Sequence, residues 1–157
     1  MAFDAFLKID GIVGETTDKT HPGEIQVDSF SWGVSNPATI GPGGGISSGR
    51  ASLSSLNFLG PTSKAGPNLM LACATGKHLQ SALLTCRTRG SNPIEFLKIR
   101  LTDVLVESYQ QSGGAGGGSA FPEDSFSLFF VKIDDLYTVP STGEVVEVSF
   151  DQSVTAG

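Results

Sequence analysis

The stretch EIQVDSFSWGVS, residues 24–35, decides the fold. Ile25 and Val27 stand at odd positions, whereas Phe30, Trp32 and Val34 stand at even ones. Successive side chains of a strand point to opposite faces, so an apolar set that changes parity marks a change of buried face. The change falls at Asp28-Ser29 and predicts a β-bulge, or a bend where the strand moves between sheets. Residues 51–58 repeat the device. Ala51 and Leu53 precede Ser54-Ser55, and Leu56 and Phe58 follow with the opposite parity. Two bent strands fit a small closed or nearly closed barrel better than a flat sandwich.

Working outward, strand signals dominate. Residues 5–9 alternate, with Ala5, Leu7 and Ile9 on one face. Residues 81–89 place Ala82, Leu84 and Cys86 together, and Ser91-Asn92-Pro93 follows as a turn. Residues 94–109 predict a long strand with Leu97, Ile99, Leu101, Leu105 and Tyr109 on one face and Lys98, Arg100 and Thr102 opposite. Residues 125–133 are densely apolar and predict a strand covered on both sides. Segments 133–139 and 145–150, joined by a turn at Ser141-Thr142-Gly143, bring the set to about eight strands. One helix is expected over 67–77, with Pro67 at its first position and Gly76 as its stop. Lys77 and His78 would then favour its C-terminal end. The middle of this helix is nearly all apolar and predicts tight packing on the barrel. Three segments read as long loops, 10–23, 36–49 and 110–124, the last two rich in glycine.

The chain has 157 residues, sized for a single domain over 1–157. Its net charge of −6 argues against nucleic-acid binding, which leaves a basic footprint. No run of 18 apolar residues is present, so no membrane-spanning helix is expected. The N-terminus lacks the basic and apolar regions of a cleaved signal peptide, and Cys73 and Cys86 are too few for a disulfide framework. The charge is uneven: residues 1–60 carry −3, 61–100 carry +5 and 101–157 carry −8. This reads either as solvated strand faces or as one basic and one acidic surface suited to head-to-tail contact.

Motifs for chemistry are missing. The G-x-G-x-x-G spacing fails at Ile46 and at Ser119, and Leu71 stands where a P-loop ending in Gly76-Lys77 needs glycine. His21 and His78 have no second histidine or cysteine at ligand spacing, so neither a metal nor another cofactor is expected. There is no G-x-S-x-G elbow, and Asp134-Asp135 are adjacent in a strand and face opposite ways. Trp32 reads as a core or interface aromatic. No catalytic residue is assigned.

Four blocks, in order, resemble a known family. FLKIDGIVGETTDKTHPGEIQVDSFSWGVSNP (6–37) is similar to the opening of the haemolysin-coregulated protein (Hcp) family of the bacterial type VI secretion system. ACATGKHLQSALLTCR (72–87) resembles its helix and following strand, FLKIRLTDVLVESYQQSG (96–113) its central hairpin, and FSLFFVKIDDLYT (126–138) its late strands. The resemblance implies a mainly β fold: a small β-barrel of two antiparallel sheets with one flanking α-helix and long loops. It implies a structural tube subunit, not an enzyme. Such subunits form six-membered rings that stack, are secreted, and hold effector proteins in the lumen. The implied partners are further copies of the chain, a spike protein, a contractile sheath and effectors, with no nucleic acid and no membrane insertion. Export from the cytoplasm by that machine would need no cleaved leader. Segment 36–49 resembles the family's extended loop, which makes Asn36, Pro37, Ile40, Pro42 and Ile46 the expected subunit or ring contacts. Two other readings stay open on the residues alone: a monomeric barrel that binds a carbohydrate or protein through loops 36–49 and 110–124, and a hydrolase using His21 or His78.

Overall fold

The structure, a computed structural model, describes residues 2–116 and 121–154. The elements run β1 (Phe3–Ile9), β2 (Ile25–Val27), β3 (Ser29–Ser31), β4 (Val34–Ser35), β5 (Ala38–Ile40), β6 (Ile46–Ser48), β7 (Ser52–Leu53) and β8 (Leu56–Pro61). Helix α1 (Ala65–Thr75) follows, then β9 (His78–Thr88), β10 (Glu95–Ser112), β11 (Glu123–Thr138) and β12 (Val145–Asp151).

The parity change at Asp28 is the closure of the barrel. Before it, β2 pairs with β1; after it, β3 pairs with β8. The strand order is β2-β1-β9-β10-β11-β8-β3, so the two ends of the sheet are consecutive pieces of one chain. The Asp28 amide donates to the Leu59 carbonyl at 2.8 Å across this seam. Gly60 lets β8 lie against β2, since a Cβ there would stand 2.5 Å from the Gln26 carbonyl oxygen. The change at Ser54-Ser55 is equally real: β7 pairs with β4, whereas β8 rejoins the barrel. Hydrogen bonding links the barrel into one eight-stranded antiparallel sheet bent over itself, with two small two-stranded sheets outside it.

The long strands hide a third bend. Buried positions step from Leu79 to Ala82 in β9, from Leu101 to Val104 in β10 and from Phe130 to Ile133 in β11. Each step spans three residues instead of two, so all three strands change face at one level, marked by Gln80, Asp103 and Val131. Asp103 takes the left-handed backbone region with φ 60, which Asp tolerates better than most residues. Because every strand shifts together, the ladders stay in register on both sides of the line, from Leu101↔Ile133 to Val104↔Phe130 and from Leu101↔Ala82 to Val104↔Leu79. The expectation that Leu105 shares a face with Ile99 and Leu101 is therefore corrected, because the bend puts Val104 and Val106 inside. Segments 125–133 and 133–139 form one strand, β11, whose first half pairs with β8 and whose second half pairs with β12.

The core gathers Leu7, Leu56, Leu84, Leu128 and Phe130, none more than 1% exposed, at roughly 1.5–3 kcal/mol for each large side chain removed from water. Helix α1 begins at Ala65, two residues before the expected start, which makes Pro67 its third residue. That position is still in the first turn, where the missing N–H has no intrahelical acceptor anyway. Ala65, Leu69 and Ala72 pack on the barrel, whereas Met70 and Leu71 are exposed, so only one stripe of the apolar helix is covered. Gly76 ends it in the left-handed region at φ 65, with the Lys77 amide donating to the Ala72 carbonyl. His78 does not cap the helix; it opens β9.

Candidate assembly surface

Segment 36–49 is not a loop but most of a β-ribbon that stands off the barrel. Its throat is a pair of bonds between Gly33 and Ser54: the Gly33 amide donates to Ser54 Oγ at 2.8 Å, and the Ser54 amide to the Gly33 carbonyl at 2.9 Å. Val34↔Leu53 and Ser35↔Ser52 pair above it in β4 and β7. Asn36 and Pro37 form the joint, where the Pro37 carbonyl accepts from the Gly49 amide at 2.7 Å. Beyond it β5 and β6 pair Ala38↔Ser48, Thr39↔Ser47 and Ile40↔Ile46. The tip is closed by the Gly41 amide donating to the Gly45 carbonyl at 2.7 Å, with Pro42 in the turn. Ile40 and Ile46 are thus cross-strand neighbours at the far end, 79% and 84% exposed. All five expected contact residues lie on the ribbon and face solvent.

A second apolar surface lies at the ribbon's base. Trp32, Val34 and Leu53 from the ribbon side face Ile133, Val148 and Phe150 from the barrel, enclosing about 250 Å³. Trp32 is half-buried against the core, as an interface aromatic would be. Burial pushes up the carboxyl of Asp135, which also lines this groove. Strand β12 pairs with β11 along one side, and its Val145, Val146, Val148 and Phe150 are exposed. The 110–124 segment is strand only at its two ends, since β10 and β11 pair as far as Ser112↔Glu123. Residues 117–120 of it lie outside the described residues.

The 10–23 segment is tied down by side chains that sequence reading left apart. The buried His21 ring has Nδ1 2.8 Å from Glu24 Oε2 and Nε2 2.5 Å from Glu95 Oε2. It stacks on Phe6 at 4.7 Å between ring centroids, and the Arg87 guanidinium lies over the same Phe6 ring at 4.9 Å. Arg87 also donates twice to Asp18, at 2.6 and 3.0 Å, which holds the Asp18 carboxyl far below the usual carboxylate range. Thr16 Oγ1 donates to the His21 carbonyl. Asp124 is buried near the start of α1, accepting from Thr62 at 2.9 Å. Burial, followed by the neighbouring Asp124, raises Tyr109 to about 12.

These contacts settle the charge question locally. Arg87 and Arg89 from the basic segment pair with Asp18 and Asp4 from the acidic first segment. Arg100 stands opposite Asp134 in the sheet. The segments that differ in sequence charge are interleaved in space at these residues, which favours the reading as solvated strand faces over the alternative of one basic and one acidic surface. Among the described residues, no group of three or more His, Cys, Asp and Glu side chains is placed to hold a metal ion. No helix among them is long and apolar enough to cross a membrane.

Comparison with known proteins matches residues 6–137 to the family model described as type VI secretion system effector, Hcp. Protein hcp1 of Pseudomonas aeruginosa is 43% identical over 125 residues, covering 79% of this chain and 76% of that one. The crystal structure of Hcp1 from Salmonella typhimurium superposes with a TM-score of 0.83 at 35% identity, covering 98% of this chain and 97% of that chain. A type VI secretion system effector from Yersinia pestis gives a TM-score of 0.77 at 31% identity, covering 94% of this chain and 99% of that chain. The family is structural, not enzymatic. A nearly closed antiparallel barrel carrying an exposed ribbon, with the family's sequence running through both, places this chain in the Hcp family of type VI secretion proteins.

Proposed function

We propose that this chain is the subunit of the type VI inner tube: six copies form a ring, rings stack, and the assembly is exported with effector proteins in its lumen. In this reading the spike protein and the contractile sheath are its partners in the machine, which carries the chain out of the cytoplasm. The observation that carries the reading is the Ile40–Ile46 pair at the tip of the ribbon, with the apolar groove at its base. An apolar tip held in water gains roughly 1.5–3 kcal/mol per isoleucine once a neighbouring copy covers it. The ribbon is already paired strand to strand, so much of its ordering cost is met before association.

The test is Ile40→Ser/Ile46→Ser, examined by sedimentation, electron microscopy and far-UV circular dichroism. The wild-type protein should sediment as a ring of about six chains, and the variant should lose stacking or subunit association while its β spectrum stays unchanged. A monomeric wild type would overturn the tube reading. A variant that forms rings and tubes like the wild type would remove the ribbon from the assembly.

A further inference from the structure

The His21 site has a feature that a structural role alone does not require. Both ring nitrogens face carboxylate oxygens, Glu24 at 2.8 Å and Glu95 at 2.5 Å. A carboxylate only accepts, and a neutral imidazole has one N–H to give. With both carboxyls ionised, both contacts are hydrogen bonds only when the ring carries two protons. Glu24 belongs to the same turn as His21, but Glu95 opens β10, so the Nε2 contact is the one that crosses to the barrel.

We propose that His21 is a proton-operated latch that clamps the 10–24 segment to the barrel while its ring is charged and loosens that segment when the ring becomes neutral. The segment has its own internal bonds, from the Gly14 amide to the Gly23 carbonyl and from the Gly23 amide to the Thr16 carbonyl. It can therefore move as a unit. Its ties to the barrel near the tip are His21 to Glu95, His21 on Phe6, and Asp18 with Thr20 to Arg87. Loss of one proton leaves Nε2 or Nδ1 with a lone pair against a carboxylate, and that part-buried contact becomes repulsive. Glu15, Thr16, Thr17 and Asp18 line a cleft of about 660 Å³ together with Arg87 and Arg89, so loosening the segment widens that cleft.

The charged groups around the ring act together. Glu24 and Asp18 face it from its own segment, Asp18 accepting from the His21 amide at 3.3 Å. Glu95 and Lys98 come from β10, with Lys98 3.3 Å from Glu95. Arg87 comes from β9, across the Phe6 ring, and Asp4 of β1 lies 3.9 Å from Arg87. Burial alone would drive the ring toward its neutral form, but the hydrogen bonds and charges of Glu95 and Glu24 outweigh it and raise His21 above the ordinary histidine value. Burial likewise favours a neutral Glu95, yet His21 and Lys98 hold its carboxyl below the usual range. The clamp is therefore complete between those two values. It is lost as pH rises through the raised His21 value, and as pH falls through the lowered Glu95 value.

The experiment uses the whole protein. Mass spectrometry of histidine C2-proton exchange gives the titration of His21, and amide exchange over 14–24, corrected for intrinsic rates, gives protection from about pH 6 to pH 9. The expected result is that His21 titrates above a histidine in an unstructured peptide, and that segment protection falls about tenfold or more through that titration while β9 amides stay protected. Glu95→Gln should move both the titration and the protection step to lower pH, and His21→Gln should leave low protection with no step. Protection that stays constant while His21 titrates overturns the proposal, as does a titration that Glu95→Gln leaves in place.

Discussion

Replacing Gly60 by alanine tests the seam where the barrel closes. The added Cβ would sit 2.5 Å from the Gln26 carbonyl oxygen, 3.5 Å from its carbonyl carbon and 3.6 Å from Val27 Cα. All three are backbone atoms of β2, so no side-chain rotation relieves the contact. β8 must move away by about 1 Å to approach an ordinary non-bonded separation. Overpacking of this kind costs about 1–3 kcal/mol. Straining the neighbouring Asp28–Leu59 backbone bond adds about 1 kcal/mol. Alanine's stiffer unfolded chain returns a few tenths. The balance is a loss of about 2–4 kcal/mol, which for a domain of this size lowers Tm by roughly 5–15 °C. Thermal unfolding followed by far-UV circular dichroism measures it. Gly43→Ala and Gly45→Ala are the controls, since a Cβ at either position meets nothing within 4 Å. A Gly60→Ala variant as stable as those controls would refute closure of the barrel across β2 and β8.

Asp103→Val should destabilise by about 1–2 kcal/mol, because a β-branched residue is strained at φ 60. Asp103→Gly should match or exceed wild type; equal losses in the two variants, read by denaturant titration, would show that the side chain and not the backbone matters there. Cys86 is fully buried, and burial pushes its thiol to about 11, so it should resist iodoacetamide in the native protein and react fully in denaturant. Equal native and denatured labelling of the Cys86 peptide by mass spectrometry would contradict that burial.

What the sequence disclosed follows the range of the interactions involved. The bends at Asp28 and Ser54 were legible because a parity change is local, needing only Val27 and Phe30, or Leu53 and Leu56, to be compared. The Asp103 bend was not, because Leu105 and Tyr109 are apolar enough to sustain the first parity and the compensating shifts lie in two other strands. The ribbon read as a loop for a different reason. β5 and β6 are held by main-chain bonds between Ala38, Thr39, Ser47 and Ser48, which carry no apolar alternation to read. Ile40 and Ile46 were nevertheless visible as odd residues among glycines, and the structure places them face to face. The His21 clamp depends on Glu95, 74 residues away, and no spacing rule joins a loop histidine to the first residue of a distant strand.

Closing the barrel also determines where another copy can attach. A closed sheet satisfies the backbone groups of its strands and leaves no edge for pairing. Among the described residues, the outer side of β12 and the ribbon have no further strand paired beside them. The groove against β12 begins at Trp32 and Val34, which are the ribbon's own root. From Val34 to the tip at Gly41 a paired strand extends roughly 20 Å at about 3.3 Å per residue. Ile40 and Ile46 are exposed at its end, so the tip does not rest on its own base. In the proposed assembly the tip therefore lands on a different copy, and the surface it meets is not the surface it presents. Contacts of that kind close into rings or continue as open stacks, whereas a two-fold dimer would need each tip to land reciprocally on the other copy. A protein that forms only two-fold dimers in solution would contradict the proposed ring even if its barrel were correct in every strand.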